Sequence, residues 1–396
     1  MAARRTSLKT FLGTARKVLS TPQAPQRPFT FVIGNESADL DSLCSAVLLA
    51  YFKTFTPPHT LHIPLSNLLR PDLALHPELN AVLSPAGLQV DDLLTLSDLP
   101  SPLPAEATRW LLVDHNALTG QLAEKYSDRV IGCVDHHEDE HKVPQDADPR
   151  VIEKCGSCMS LVVDHCRDVW DSLPKVDGGD ELAYVALAPI LVDTTNLTAY
   201  DKVTRKDTWA VEFSESKLAS GQKEAGVGYE RGRYFDEINR LKEEISGMSY
   251  QDILRKDYKL WKEGGLSLGI SVVPQPFEYL LEKIGDREKL LGELKKWSEE
   301  QGLDITSIMT AYKDKEGNFG RELLVWALNE DAVKVAKSFE SKNSEKLGLV
   351  TWNDGQLDEK DEKEGEWRKA WTQKAIENSR KQVAPMLRDA MKASKL

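Results

Sequence analysis

Four short runs hold the residue types that do chemistry. They are Gly34-Asn35-Glu36-Ser37-Ala38-Asp39-Leu40-Asp41, Val113-Asp114-His115-Asn116, Val134-Asp135-His136-His137 and Val192-Asp193-Thr194-Thr195-Asn196. One aspartate after one strand is ordinary, because Asp is a common loop and N-cap residue. Four such runs at one sheet edge are not. Carboxylates gathered in a cleft raise one another's pKa and need something positive to stay ionised. Divalent metal is the economical partner. A set of carboxylates with one imidazole and no thiolate favours Mg²⁺, Mn²⁺ or Co²⁺. Bridging carboxylates hold two such ions about 3.5–4 Å apart, and a water shared by the ions loses a proton near neutral pH and attacks phosphorus in line.

The elements that must position these runs alternate between strand and helix. Thr30–Ile33 is apolar and β-branched, the loop Gly34–Asp41 follows, and Ser42–Phe55 places Leu43, Ala46, Val47, Ala50 and Tyr51 on one helical side. Leu61–Ile63 is a weak strand, and Arg109–Val113 and Arg129–Val134 are stronger ones. Ser157–Trp170 and Glu181–Leu191 read as helices, and residues 56–108 as peripheral helices and loops. Such alternation implies a mainly parallel sheet covered by helices, with ligands beyond the carboxyl ends of the strands. All four runs are expected at such ends.

The chain has 396 residues, enough for two cores. The expected division is an N-terminal segment at 1–28, a first domain at 29–225 and a second at 226–396. The second carries strand-like runs at Leu266–Val273, Ile305–Ala311 and Leu323–Ala327. Its helices are expected at Phe277–Trp297, Asp331–Phe339 and Trp367–Lys392, and Asp354–Glu366 reads as a solvated charged loop. A net charge of -12 argues against a nucleic-acid-binding face, and no apolar run is long enough to span a bilayer. A polyanionic substrate would need a local cationic field instead. Five cysteines, an odd and sparse count, fit a reducing compartment.

Residues 1–28 hold Arg4, Arg5, Lys9, Arg16, Lys17 and Arg27 and no acid. Leu8, Phe11, Leu12, Ala15, Val18 and Leu19 share one helical face. A short helix docked on the first domain is expected, which goes with a cytoplasmic location; the alternative is a mitochondrial presequence. Thr21–Pro28 reads as a connector. Cys155 and Cys158, with His165 and Cys166 nearby, form a lone C-x-x-C without a second pair. A turn into a helix, with the Gly156 and Ser157 amides near phosphate, is expected in preference to zinc. His115 either backs a ligand or faces substrate.

The set of runs resembles the four motifs of the DHH superfamily: Asp39 and Asp41 as D-x-D, a lone Asp114, Asp135-His136-His137, and a lone Asp193. The first run is closest to eukaryotic exopolyphosphatases and their prune-like relatives. Asp257-Tyr258-Lys259 and Asn378-Ser379-Arg380-Lys381-Gln382-Val383-Ala384-Pro385 resemble the C-terminal domain shared with family II inorganic pyrophosphatases. The resemblance covers roughly residues 29–396. It implies an α/β fold with a DHH domain, a smaller α/β C-terminal domain and an active site in the cleft between them.

It also implies site roles. Asp39, Asp114 and Asp193 would hold one metal, and Asp41, Asp114, His136 and Asp193 the other. Asp114, His137 and Asp193 would be catalytic, with His137 facing phosphate. Lys259, Arg380 and Lys381 would clamp phosphates, and Asn35 would contact substrate, a metal or its water. Family II pyrophosphatases have His where this chain has Asn35, which makes the site harder. Mg²⁺ is therefore expected, with Mn²⁺ or Co²⁺ as substitutes. The implied reaction is release of orthophosphate from the end of inorganic polyphosphate by a monomer that binds neither nucleic acid nor membrane. Pyrophosphate or nucleotide hydrolysis on the same metals is the alternative. A metal-binding interaction protein without turnover is the non-enzyme reading.

Overall fold

The computed structural model describes residues 5–21, 28–174, 180–218, 229–359 and 365–393. Arg4, Arg27, most of the expected 21–28 connector and the expected boundary at 225 lie outside them. The chain divides into two compact units, Met1–Lys242 and Glu243–Leu396. The division falls later than residue 225 because a helix at Arg231–Glu243 buries Tyr234, Phe235 and Ile238 in the first core.

The first unit opens with helix α1 (Leu8–Leu19), capped by Ser7, whose side chain accepts from the Thr10 amide. Leu8, Phe11, Leu12, Ala15 and Leu19 are buried, while Val18 on the expected apolar face is exposed. Arg16 donates to the Asp91 and Leu93 carbonyls, and the Tyr51 hydroxyl to the Thr6 carbonyl. The helix is docked.

Strands β1 (Phe29–Ile33), β2 (His62–Leu65), β3 (Thr108–Val113), β4 (Val130–Asp135) and β5 (Arg150–Ile152) form a five-stranded parallel sheet in the order β2-β1-β3-β4-β5. Phe31–Ile33, Leu111–Val113 and Cys133–Val134 are buried runs, as strands covered on both faces require. Ile33 pairs with Leu112, and Val113 with Val134, so the carboxyl ends of β1, β3 and β4 are level. Helix α2 (Leu40–Phe55) is buried from Leu40 to Phe52 and packs on α3 (Cys158–Ser172) and α4 (Glu181–Asp193). Helix α5 (Arg205–Ser216) packs on α3 and α4. β5 escaped the sequence reading because three residues carry no periodicity. Residues 56–108 hold β2, a five-residue helix at Leu79–Leu83 and several 3-10 turns.

The second unit contains β6 (Tyr258–Glu263), β7 (Leu266–Val273), β8 (Ile305–Thr310), β9 (Glu322–Ala327), β10 (Leu349–Thr351) and β11 (Trp367–Gln373). They form a six-stranded sheet in the order β10-β11-β9-β8-β7-β6, antiparallel except for β7 with β8. Leu323 and Val325 enter one core with α6 (Glu330–Leu347) and α7 (Arg380–Ala393); Leu324 and Trp326 enter another on the opposite face.

Three expectations are corrected here. Residues 367–373 are a strand, paired to β9 from Trp367↔Ala327 to Thr372↔Glu322, and only 380–393 are helical. The helix expected over 277–297 breaks at Gly285, whose φ of 111° ends one helix before Asp286 caps the next. Residues 354–366 are not all solvated: Leu357 is buried and Glu359 pairs with Arg368, with 360–364 outside the described residues. Among the described residues, no helix is long and apolar enough to cross a membrane.

Candidate metal centre

The chain turns sharply after β1. A side chain on Gly34 would put Cβ 2.5 Å from Ser42 Cβ and 2.9 Å from Ser42 Cα, so only glycine lets α2 approach this strand end. Asp39 caps α2 by accepting from the Ser42 amide at 3.0 Å. The helix therefore starts at Leu40, earlier than expected, and Asp41 lies in its buried first turn.

Asp41 is 1% exposed. Its Oδ1 accepts from Ser157 Oγ at 2.9 Å and the Met159 amide at 2.9 Å, and its Oδ2 from the Cys158 amide at 2.7 Å. The N-terminus of α3 thus points its free amides at this carboxylate. Burial first, then the charges of Asp193, Asp114 and Asp39, push the Asp41 carboxyl well above the usual range.

Asp114 follows β3 with φ of 59°, a left-handed conformation Asp tolerates better than most residues. Asn35 Nδ2 and Ser42 Oγ each donate to its Oδ2 at 2.8 Å. Its Oδ1 is left facing His136 Nε2 at 3.1 Å. His136 Nδ1 lies 3.0 Å from the Cys155 carbonyl. A carbonyl only accepts, so Nδ1 carries a proton, and Nε2 faces Asp114 Oδ1 at 3.1 Å and Asp41 Oδ2 at 3.9 Å.

Asp193 is the last residue of α4, not the end of a strand; the buried apolar run of this helix continues through Val192. The next turn has three consecutive left-handed residues, Thr195, Asn196 and Leu197, with φ of 50°, 53° and 63°. Such strain persists only where the surroundings impose it. Asp41, His136 and Asp193 offer ligand atoms within 4.8 Å of one another, as do Asp114, His136 and His137. Such a carboxylate–imidazole set fits a divalent cation.

Asp135, given no separate role in the sequence reading, orients the histidines. Its Oδ1 accepts from His137 Nδ1 at 2.7 Å and the His136 amide at 2.8 Å, and its Oδ2 from Asn116 at 2.6 Å. Burial opposes its charge, but the neighbouring His137 outweighs burial and holds the carboxyl below the usual range. His137 Nδ1 is thereby committed to Asp135, on a side chain 23% exposed.

Other expected residues are held by partners of their own units. Asp39 belongs to neither converging group. Asn35, expected at substrate, is 2% exposed; its amide donates to Asp114 and its Oδ1 accepts from the Ser37 amide at 2.9 Å. The Gly156 and Ser157 amides, expected near phosphate, donate to Asp207 at 3.0 and 3.2 Å. Cys155 and Cys158 form no metal pair, since their thiols face Asp207 and the Val134 carbonyl. His115 donates through Nδ1 to its own strand at the Val113 carbonyl, and its buried Nε2 has no hydrogen-bond partner among the described residues. Lys259 sits on β6, and Arg380 and Lys381 begin α7. Arg380 donates to Asp257 Oδ1 at 2.6 Å and to the Asp257 carbonyl at 3.1 Å. The sequence did carry a signal for Asp207: Thr204 and Asp207 form a capping box, the spacing that opens a helix.

Residues 30–188 match the family model described as the DHH family, N-terminal domain, and residues 236–390 match the DHHA2 domain. A Schizosaccharomyces pombe protein named "Putative exopolyphosphatase" is 33% identical, over 98% of this chain and 96% of its own. The Homo sapiens protein named Exopolyphosphatase PRUNE1 is 27% identical, over 76% of this chain and 63% of its own. A Methanococcus jannaschii crystal structure, titled as a putative family II inorganic pyrophosphatase, shares the fold. Its TM-score is 0.59 at 20% identity, covering 91% of this chain and 99% of that one.

Proposed function

We propose an activity from one premise: the chain belongs to the DHH family, with a DHH N-terminal domain followed by a DHHA2 domain. The reading is an exopolyphosphatase, which adds water across the terminal phosphoanhydride of inorganic polyphosphate and releases orthophosphate and a chain one phosphate shorter. The observation that carries it is the convergence of Asp41, His136 and Asp193, whose ligand atoms lie within 4.8 Å of one another. The name of the Schizosaccharomyces pombe relative supports the choice of substrate class.

In this reading Asp41, Asp114, His136 and Asp193 hold divalent cations, with Asp39 completing the set. The cations supply Lewis-acid charge and a nucleophile at neutral pH when bound. The remaining work falls to the chain. The α3 amides and Ser157 fix Asp41, and Asn35 and Ser42 fix Asp114, so neither carboxylate reorganises during turnover. Asp135 holds the His137 ring so that a proton on Nε2 can be given to a phosphate oxygen. Arg380, aligned by Asp257, offers its planar fork to phosphate, with Lys259 and Lys381 as compact charges. An amide at Asn35, in place of an imidazole, favours Mg²⁺ over softer ions.

The test is phosphate release from polyphosphate, pyrophosphate and a cyclic nucleotide, each supplied in parallel with Mg²⁺. Fastest release from polyphosphate, lost in Asp114→Ala, is expected. Equal turnover by Asp114→Ala would refute the metal assignment, and faster release from pyrophosphate would refute the substrate.

A further inference from the structure

The turn at residues 155–159 touches Asp41 and His136 of the Asp41–His136–Asp193 group, and the residue that follows Asp193. The Cys155 carbonyl fixes the His136 ring at 3.0 Å. Ser157, Cys158 and Met159 supply three of the donors to Asp41, beside the Ser45 hydroxyl at 3.3 Å. Gly156 presses against the residue after Asp193: a side chain there would put Cβ 2.7 Å from Thr194 Cγ2. Whatever fixes this turn fixes Asp41 and His136 together.

One side chain does so. Asp207, in the first turn of α5, has no solvent exposure. Its Oδ1 accepts from Ser160 Oγ at 2.7 Å, Cys155 Sγ at 3.1 Å and the Ser157 amide at 3.2 Å. Its Oδ2 accepts from the Thr204 amide at 2.7 Å, Thr204 Oγ1 at 2.8 Å and the Gly156 amide at 3.0 Å. Both oxygens bridge the start of α5 to the 155–160 turn. Asp207 also lies between the two matched segments, 30–188 and 236–390.

We propose that Asp207 is a positioning residue for the metal centre, acting through the 155–159 turn on Asp41 and His136 without touching a cation. The inference rests on the reading of these acids as cation ligands. Losing the Gly156 and Ser157 anchors lets the turn relax, so the α3 amides leave Asp41 and the Cys155 carbonyl leaves His136. Partners one shell removed from a ligand typically set metal affinity by about 10–100-fold.

The test is Mn²⁺ affinity of the full chain, from the electron paramagnetic resonance of free Mn²⁺. Asp207→Asn is expected to weaken binding about 10-fold. Ser160→Ala, which removes one donor and is milder on folding, is expected to weaken it about threefold. Val211→Ala, a buried change on the same helix, lowers thermal stability and leaves affinity unchanged. In the metal-free chain, solvent exchange of the His136 imidazole N–H quickens in Asp207→Asn. Parental affinity in Asp207→Asn, or in Ser160→Ala should Asp207→Asn not fold, overturns the inference and leaves the cation reading standing. No Mn²⁺ binding by the parent overturns the cation reading and the inference with it. A Val211→Ala loss as large as that of Asp207→Asn makes the effect one of general stability and also overturns it.

Discussion

The acids of the first unit and the bases of the second are held in opposite ways. Asp41 and Asp114 are buried, and neutral donors orient them: amides, a hydroxyl and the Asn35 side chain. Arg380 has a carboxylate, Asp257, against its guanidinium. Neutral donors fix a carboxylate's orientation without cancelling its charge. A carboxylate partner aligns an arginine while lowering its pull on anions, so a phosphate must compete with it. The contrast suits a permanent cation site in one unit and a reversible phosphate site in the other.

The strongest way to break this comparison is Asp114→Ala. It should lower phosphate release by roughly 10³-fold, the several kcal/mol a metal site contributes. A variant within tenfold of the parent contradicts a cation role. Arg380→Ala should act on the other half alone. We expect KM for polyphosphate to rise about 10–100-fold, the worth of charge-assisted hydrogen bonds, with Mn²⁺ affinity unchanged. A fall in kcat with constant KM would move Arg380 from substrate binding to the chemical step. Asn35→His should shift preference towards Mn²⁺, read as the ratio of Mn²⁺ to Mg²⁺ affinities; an unchanged ratio removes Asn35 from metal selection.

The smallest effect is a pH dependence measured in chelator. Asp41 has a raised pKa in the fold, so its contribution is present below the ordinary value near pH 4 and lost as pH rises through the raised one. Asp41→Asn should therefore raise the melting temperature at neutral pH by roughly a few degrees. Asp207 runs the other way. Burial opposes its charge, but donors from Ser160 and Thr204 outweigh burial and hold it below the usual range. Its contribution is present above the ordinary value and lost as pH falls through the depressed one. Asp207→Asn should flatten the acid limb of the melting curve and Asp41→Asn the neutral limb. Exchanged or absent effects would show that the two carboxylates do not differ as described.

The sheet of the first unit was legible because β1, β3 and β4 are apolar runs that end in Asn, Asp or His, and parallel strands bury both faces. The converging acids were legible for the same reason. β11 was not: Trp367, Ala370 and Trp371 fall at i, i+3 and i+4, a helical spacing, and the strand is imposed by its neighbours β9 and β10. Asp193 comes near Asp41 and His136 from a helix end and not from a strand, since a buried apolar run serves helix and strand alike. Asp207 was legible only as the acid of a helix start; its reach to the 155–160 turn was not, because its partners there include the backbone amides of Gly156 and Ser157, which leave no residue-type signature.

The most direct measurement is the number of divalent ions bound per chain, by equilibrium dialysis against Mn²⁺ with the parent, Asp41→Asn and Asp114→Ala. The account predicts two saturable ions on the parent, and fewer on each variant. Saturable binding that is equal in all three chains, or none in the parent, would contradict it.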